Sequence, residues 1–126
     1  MAGSRVLIVD DAGLVRLYYR DALERAGYDV DEAMNGLEAL EKLLLRPADL
    51  LIVDINMPKM DGLTFLKSLR RHPLPLGAVP AVVISTEADP KDRDAARVAG
   101  ANFYLVKPVP QEMLTRYVGM LCGEPS

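Results

Sequence analysis

Three short runs constrain this chain more than any other feature: RVLIV at 5–9, LLIVD at 50–54 and AVVIS at 81–85. Each has strand length, is rich in branched residues and is apolar almost throughout. A strand with one wet face alternates, whereas an unbroken run belongs to a strand covered on both faces. Helix-period segments lie between the runs. One extends from about Leu14 to Ala26, with Val15, Tyr18, Tyr19, Ala22 and Ala26 on one side and Gly27 as its stop. YDVDE at 28–32 alternates and reads as a half-exposed edge strand. GLEALEKLLL at 36–45 sets Leu37, Leu40, Leu43 and Leu44 on one face before Pro47 ends it.

The second half repeats the pattern. A helix from about Asp61 to Arg71 carries Leu63, Leu66 and Leu69, with Asp61 as N-cap. PKDRDAARVAG at 90–100 opens on proline and closes on glycine, and its inner side is mostly alanine. NFYLV at 102–106 is a last strand and PQEMLTRYVGML at 110–121 a last helix. Strict alternation of strand and helix predicts an α/β fold, a parallel sheet wound on both faces. Ligands of such sheets bind beyond the carboxyl ends of the strands. Those ends carry Asp10 and Asp11, Asp54, Ser85 and Lys107.

A chain of 126 residues is the size of one domain, expected over 1–126 with its core at about 5–121. Half of it is hydrophobic, which excludes disorder, and a core of this size needs neither disulfides nor zinc. The lone Cys122 reads as a small apolar residue in a reducing compartment. No leader or membrane span is evident, so a cytoplasmic location is expected. Net charge is −3, with no basic footprint for nucleic acid. Arg70, Arg71 and His72 suit a solvated helix end, and the final GEPS reads as a frayed terminus.

Two unit charges about 4 Å apart repel by roughly 4 kcal/mol at an effective dielectric near 20. Three clustered carboxylates therefore call for a neutralising partner. A hard divalent cation with oxygen ligands, Mg²⁺, fits, whereas zinc lacks nearby Cys or His. Lys107 adds a compact cation and Ser85 a hydroxyl, which together suit phosphoryl oxygens. A carboxylate in such a setting can be the nucleophile that forms an aspartyl phosphate.

VLIVDD, IVDINMPKMDG, VVISTEA and YLVKP, in this order and spacing, resemble the receiver domain of two-component response regulators of the CheY type. The resemblance runs from Val6 to about Leu121. It implies a flavodoxin-like (βα)5 fold with strand order 2-1-3-4-5. It further implies Asp54 as phosphoacceptor, and Mg²⁺ held by Asp10, Asp11, Asp54 and the backbone carbonyl of Asn56. Lys107 would contact the phosphoryl group ahead of a cis peptide to Pro108. Ser85 stands at the hydroxyl switch position and Tyr104 at the aromatic one, while Asn56 and Glu87 occupy positions that tune phosphoryl lifetime. The phosphodonor implied is a sensor histidine kinase or histidine phosphotransfer protein. The implied output is a protein contact on the face of the fourth helix, fifth strand and fifth helix, without nucleic acid or membrane.

Each residue also has a plainer role. The acidic pair could cap the following helix, Ser85 could bond its own turn, and Thr86 competes with it as the hydroxyl. Tyr104 could be core, with Phe103 on the opposite face. Three features depart from the family pattern: the small Ala12 and Gly13, the bulkier Thr86, and Val109-Pro110 where an aromatic is usual. Helix 90–100 is alanine-rich and has little apolar burial to anchor it, which makes it the expected moving part. Reversing a 1:99 equilibrium takes about 5.5 kcal/mol. The expected function is a phosphorylation-switched signalling domain that catalyses only its own phosphoryl transfer and dephosphorylation. An alternative is the receiver part of a larger regulator with a DNA-binding or enzymatic output. A phosphohydrolase reading is weakened by Asn56, where those enzymes carry an acid/base carboxylate.

Overall fold

A computed structural model describes residues 4–55, 57 and 60–122. Five parallel strands form one sheet: β1 Arg5–Val9, β2 Asp29–Ala33, β3 Leu50–Asp54, β4 Ala81–Ser85 and β5 Phe103–Val106. Their order is β2-β1-β3-β4-β5. Helices α1 Gly13–Arg25, α2 Gly36–Leu45, α3 Gly62–Arg70, α4 Pro90–Ala99 and α5 Gln111–Cys122 alternate with them. A short 3-10 turn at Leu76–Ala78 precedes β4. This is the flavodoxin-like architecture expected from the sequence.

The continuous apolar runs feed two cores at once. Leu7, Val9, Leu51, Val53 and Val83 meet Leu43 of α2, Phe65, Leu66 and Leu69 of α3, and Ala96 of α4. The alternate residues Val6, Ile8, Leu50, Ile52, Val82 and Ile84 meet Tyr19 and Leu23 of α1 and Leu114 and Val118 of α5. Successive strand side chains point to opposite faces, so a strand sandwiched between helices must be apolar at every position. The edge strand β2 keeps its charges: Asp31 is bonded to Arg5, and Glu32 to Arg16 and Arg20.

Local signals end the helices where the sequence places them. Asp61 caps α3 by accepting the Thr64 N–H at 2.9 Å, and Asp89 caps α4 by accepting that of Lys91 at 2.8 Å. Gly100 closes α4 at φ 116°, a left-handed conformation that a side chain disfavours. The helix faces differ from expectation in two places. On α1 the buried side is Tyr19, Ala22 and Leu23, while Tyr18 and Ala26 are exposed.

On α2 the buried residues are Gly36, Ala39 and Leu43, with Leu40 half-buried, and Leu37 and Leu44 face outward. The cause is close packing. A Cβ on Gly36 would lie 2.8 Å from Met60 Cγ and 2.9 Å from Phe65 Cβ. Only the small-residue side of α2 can approach α3 that closely. Sequence reading also passed over Phe65, which is fully buried in the α3 interface.

Candidate functional site

The strand ends bring four of the expected residues together. The Asp10 N–H donates to the Ala33 carbonyl at 3.0 Å, which carries the β1 ladder one residue past the strand. Its carboxylate Oδ1 accepts the Ala12 N–H at 2.9 Å. Asp54 closes β3 on the adjacent strand. Carboxylate oxygens of Asp10, Asp11 and Asp54 all lie within 4.8 Å of one another. Asp10 and Asp54 are buried, and Asp11 is exposed.

Lys107 reaches the same point from the end of β5. Its Nζ lies 4.0 Å from Asp54 Oδ1, and its peptide bond to Pro108 is cis. Its N–H donates to the Ser85 carbonyl at 2.7 Å. Three carboxylates outnumber the one lysine beside them, a balance that suits a divalent cation. The donors are all carboxylate oxygens, a hard set suited to Mg²⁺. Burial holds the Asp10 carboxyl above its ordinary value, against the opposing pull of the Ala12 N–H and Lys107. Tyr19 packs behind the cluster, and burial together with Asp10, Tyr18 and Asp54 pushes its hydroxyl up to about 12. It stays neutral there.

Ser85 and Tyr104 meet through one residue. The Ser85 Oγ, buried at the end of β4, accepts the Glu87 N–H at 3.1 Å. The Tyr104 hydroxyl donates to the Glu87 carbonyl at 2.7 Å. Glu87 thus enters the site through its backbone, and its side chain is exposed. The Arg93 guanidinium of α4 sits 5.1 Å from the Tyr104 ring centroid, within cation–π range. Thr86 is exposed and turned toward a groove of about 510 Å³ that it shares with Leu14, Tyr18 and Lys107. Asn56, assigned a metal-binding carbonyl and a lifetime role, lies outside the described residues, as does the GEPS terminus.

Two contributors were not singled out in the sequence. Arg16 donates to the Asp10 carbonyl at 2.7 Å through Nη1 and to Glu32 at 2.8 Å through Nε. It ties the first turn of α1 to both neighbouring strand ends. No periodic pattern marks it, because one partner is a backbone oxygen and the other, Glu32, lies on a separate strand. Gly62 is the other. Its N–H donates to the Ile55 carbonyl at 2.8 Å, and a Cβ there would lie 2.3 Å from the Asp54 carbonyl oxygen. The DG pair that opens α3 was the available signal.

A flavodoxin-like sheet with an acidic cluster at its carboxyl edge and a lysine before a cis proline defines a class of signalling domains. The response regulator receiver domain model matches residues 6–119, and the chain belongs to that family. It is a CheY-like receiver domain of two-component signalling. A putative response regulator from Chloroflexus aurantiacus superposes with a TM-score of 0.90 at 34% identity, covering 97% of this chain and 99% of that one. Vibrio cholerae chemotaxis protein CheY4 superposes with a TM-score of 0.88 at 34% identity, covering 95% and 99%. Sensor protein EvgS of Escherichia coli (strain K12) is 35% identical over 116 residues, 92% of this chain but 9% of its own length. The chain thus spans about a tenth of that curated relative. Receiver domains generally bind Mg²⁺ and interact with histidine kinases and downstream targets. No helix among the described residues is long and apolar enough to cross a membrane.

Proposed function

We propose that this receiver accepts a phosphoryl group on Asp54 from a phosphohistidine donor and converts it into a protein contact. The observation that carries this reading is the position of the Asp54 carboxylate, between the Asp10–Asp11 pair and Lys107. An Asp54 oxygen attacks phosphorus and the P–N bond of the donor breaks. Its electron pair stays on the imidazole nitrogen, which leaves as the histidine. Lys107 compensates charge on the phosphoryl oxygens. Asp10, Asp11 and Asp54 would hold Mg²⁺, with the Asn56 carbonyl completing the set. When bound, the ion spreads the charge that develops on the transferring group.

The donor is a histidine kinase or histidine phosphotransfer protein. Leu14, 83% exposed, borders the groove beside Lys107, and an apolar rim at the phosphoacceptor suits a protein donor. The Ser85 hydroxyl turns from the Glu87 N–H toward the phosphoryl group. That change loosens the turn to which Tyr104 is bonded. Helix α4 buries only Ala96 and Ala99, so it shifts readily, and the α4–β5–α5 face carries the output. Asn56 and Glu87 set a short phosphoryl lifetime. Hydrolysis of its own acyl phosphate is the chain's only turnover, and its place of action is the cytoplasm.

Intact-mass spectrometry after incubation with acetyl phosphate and Mg²⁺ tests the reading. One phosphoryl group should be gained, and lost in Asp54→Asn and without Mg²⁺. A chain that takes up nothing from acetyl phosphate or a phosphohistidine protein, and that fails to bind beryllofluoride, is not a phosphoacceptor. A phosphoform that persists for many hours in Mg²⁺ contradicts the short lifetime. The short span of this chain on EvgS favours one further reading, a receiver module working within a larger regulator. The stop codon of the gene decides between the two.

A further inference from the structure

Helix α2 leaves an apolar stripe in water. Leu37, Leu44 and Leu45 are 47%, 65% and 87% exposed, and Met34 just ahead of the helix is 50% exposed. Leu37 and Leu44 stand a heptad apart, and at 100° per residue Glu41 falls between them and Leu45 on the same face. Met34, Leu37, Glu41 and Leu45 border a groove of about 490 Å³. A cluster of exposed apolar side chains of this kind marks an interaction surface more often than chance.

The charges around the groove are already engaged, with one exception. Glu38 accepts the Met34 N–H at 2.8 Å as part of the helix cap. Lys42 is held by Asp31 Oδ1 at 3.3 Å and by the Glu32 carbonyl. The Glu41 side chain is exposed, and its carboxylate makes no hydrogen bond or ion pair among the described residues. An unpaired carboxylate in the middle of an apolar stripe dictates the occupant's chemistry. A second copy fits poorly, because twofold packing of α2 about its midpoint sets Glu41 against its own symmetry mate. A helix with a cation at that height fits well.

We propose that the outer face of α2 docks an amphipathic helix of a partner protein, with two apolar side chains about a heptad apart and an arginine or lysine between them. The leucines of α2 receive the apolar pair and Glu41 receives the cation. This surface lies at the β2 edge of the sheet, and its Met34 end adjoins Ala33, whose carbonyl accepts the Asp10 N–H.

Isotope-labelled full-length chain titrated with two lactam-stapled helical peptides tests the proposal. One peptide carries leucines a heptad apart around an arginine, and its twin has glutamate in place of the arginine. The arginine peptide should move the amides of residues 34–45 and bind about fivefold tighter than its twin, the upper range for a single exposed charge pair. Glu41→Lys should reverse that order. The altered side chain is exposed, so the variant keeps its fold, and unchanged amide shifts elsewhere check this. Shifts confined to other elements, equal binding of the two peptides, or an unreversed order in Glu41→Lys would overturn the proposal. So would dimerisation of the chain through α2 in sedimentation.

Discussion

Lys107 Nζ and Asp54 Oδ1 lie 4.0 Å apart although their strands do not touch. The register across β4 sets this approach. Asp54 lies opposite Ile84, Ile84 opposite Leu105, and Ser85 opposite Val106, so Asp54 and Lys107 emerge at the same edge. Replacing Lys107 by Met should leave the fold intact and slow phosphoryl uptake about 100-fold, as for loss of one charge-stabilising donor. A mass-spectrometric time course with acetyl phosphate measures it. An unchanged rate would reduce Lys107 to a turn residue.

Gly62 is expected to be irreplaceable. The Cβ of alanine would lie 2.3 Å from the Asp54 carbonyl oxygen and 2.9 Å from Ile55 Cα, and backbone cannot yield as a flexible side chain does. Gly62→Ala should lose about 1–3 kcal/mol in urea unfolding, the range for overpacking. It should also weaken Mg²⁺ binding, because the displaced atoms belong to Asp54.

Adjacent leucines of α2 should behave in opposite ways. Leu43 is buried against the sheet and Leu44 faces water. Leu43→Ala should cost about 2–4 kcal/mol through lost transfer and a residual cavity. Leu44→Ala should stay within about 0.5 kcal/mol. Equal losses would mean that α2 is rotated from the orientation described.

Acid should expose the β2 edge network. Burial pushes the Glu32 carboxyl up, but the bonds from Arg20 and Arg16 outweigh it and hold the group below its ordinary value of 4.5. The folded state therefore favours the ionised form. That stability is fully present above 4.5 and is lost as pH falls through the lower folded value. Glu32→Gln should cost about 1 kcal/mol at neutral pH. The gap to wild type should close below the folded pKa in pH-dependent urea melts. A gap that widened in acid would reverse the assignment.

Tyr104→Phe removes the hydroxyl that donates to the Glu87 carbonyl. Stability should fall by no more than about 1 kcal/mol, the usual net worth of such a bond. Amide exchange in the β4–α4 turn should accelerate while phosphoryl uptake stays near wild type. Unchanged exchange would make Tyr104 a packing residue only.

The sequence alone determined the sheet. Its five-residue apolar runs can be satisfied only between two helical layers, and period-two alternation sorts their side chains into two cores. Asp61, Pro90 and Gly100 marked helix ends because such signals act on neighbours a few residues away. The strand-end aspartates and Lys107 were legible because a parallel sheet sends every carboxyl end to one edge. Tertiary structure decided what depends on the approach of distant segments. Gly36 lets α2 pack on its small-residue side and so turns Leu37 and Leu44 to water, a choice the leucine pattern leaves open. Arg16 binds a backbone oxygen, which has no sequence identity to read. The link from Ser85 through Glu87 to Tyr104 exists only because β4 and β5 pair in this register.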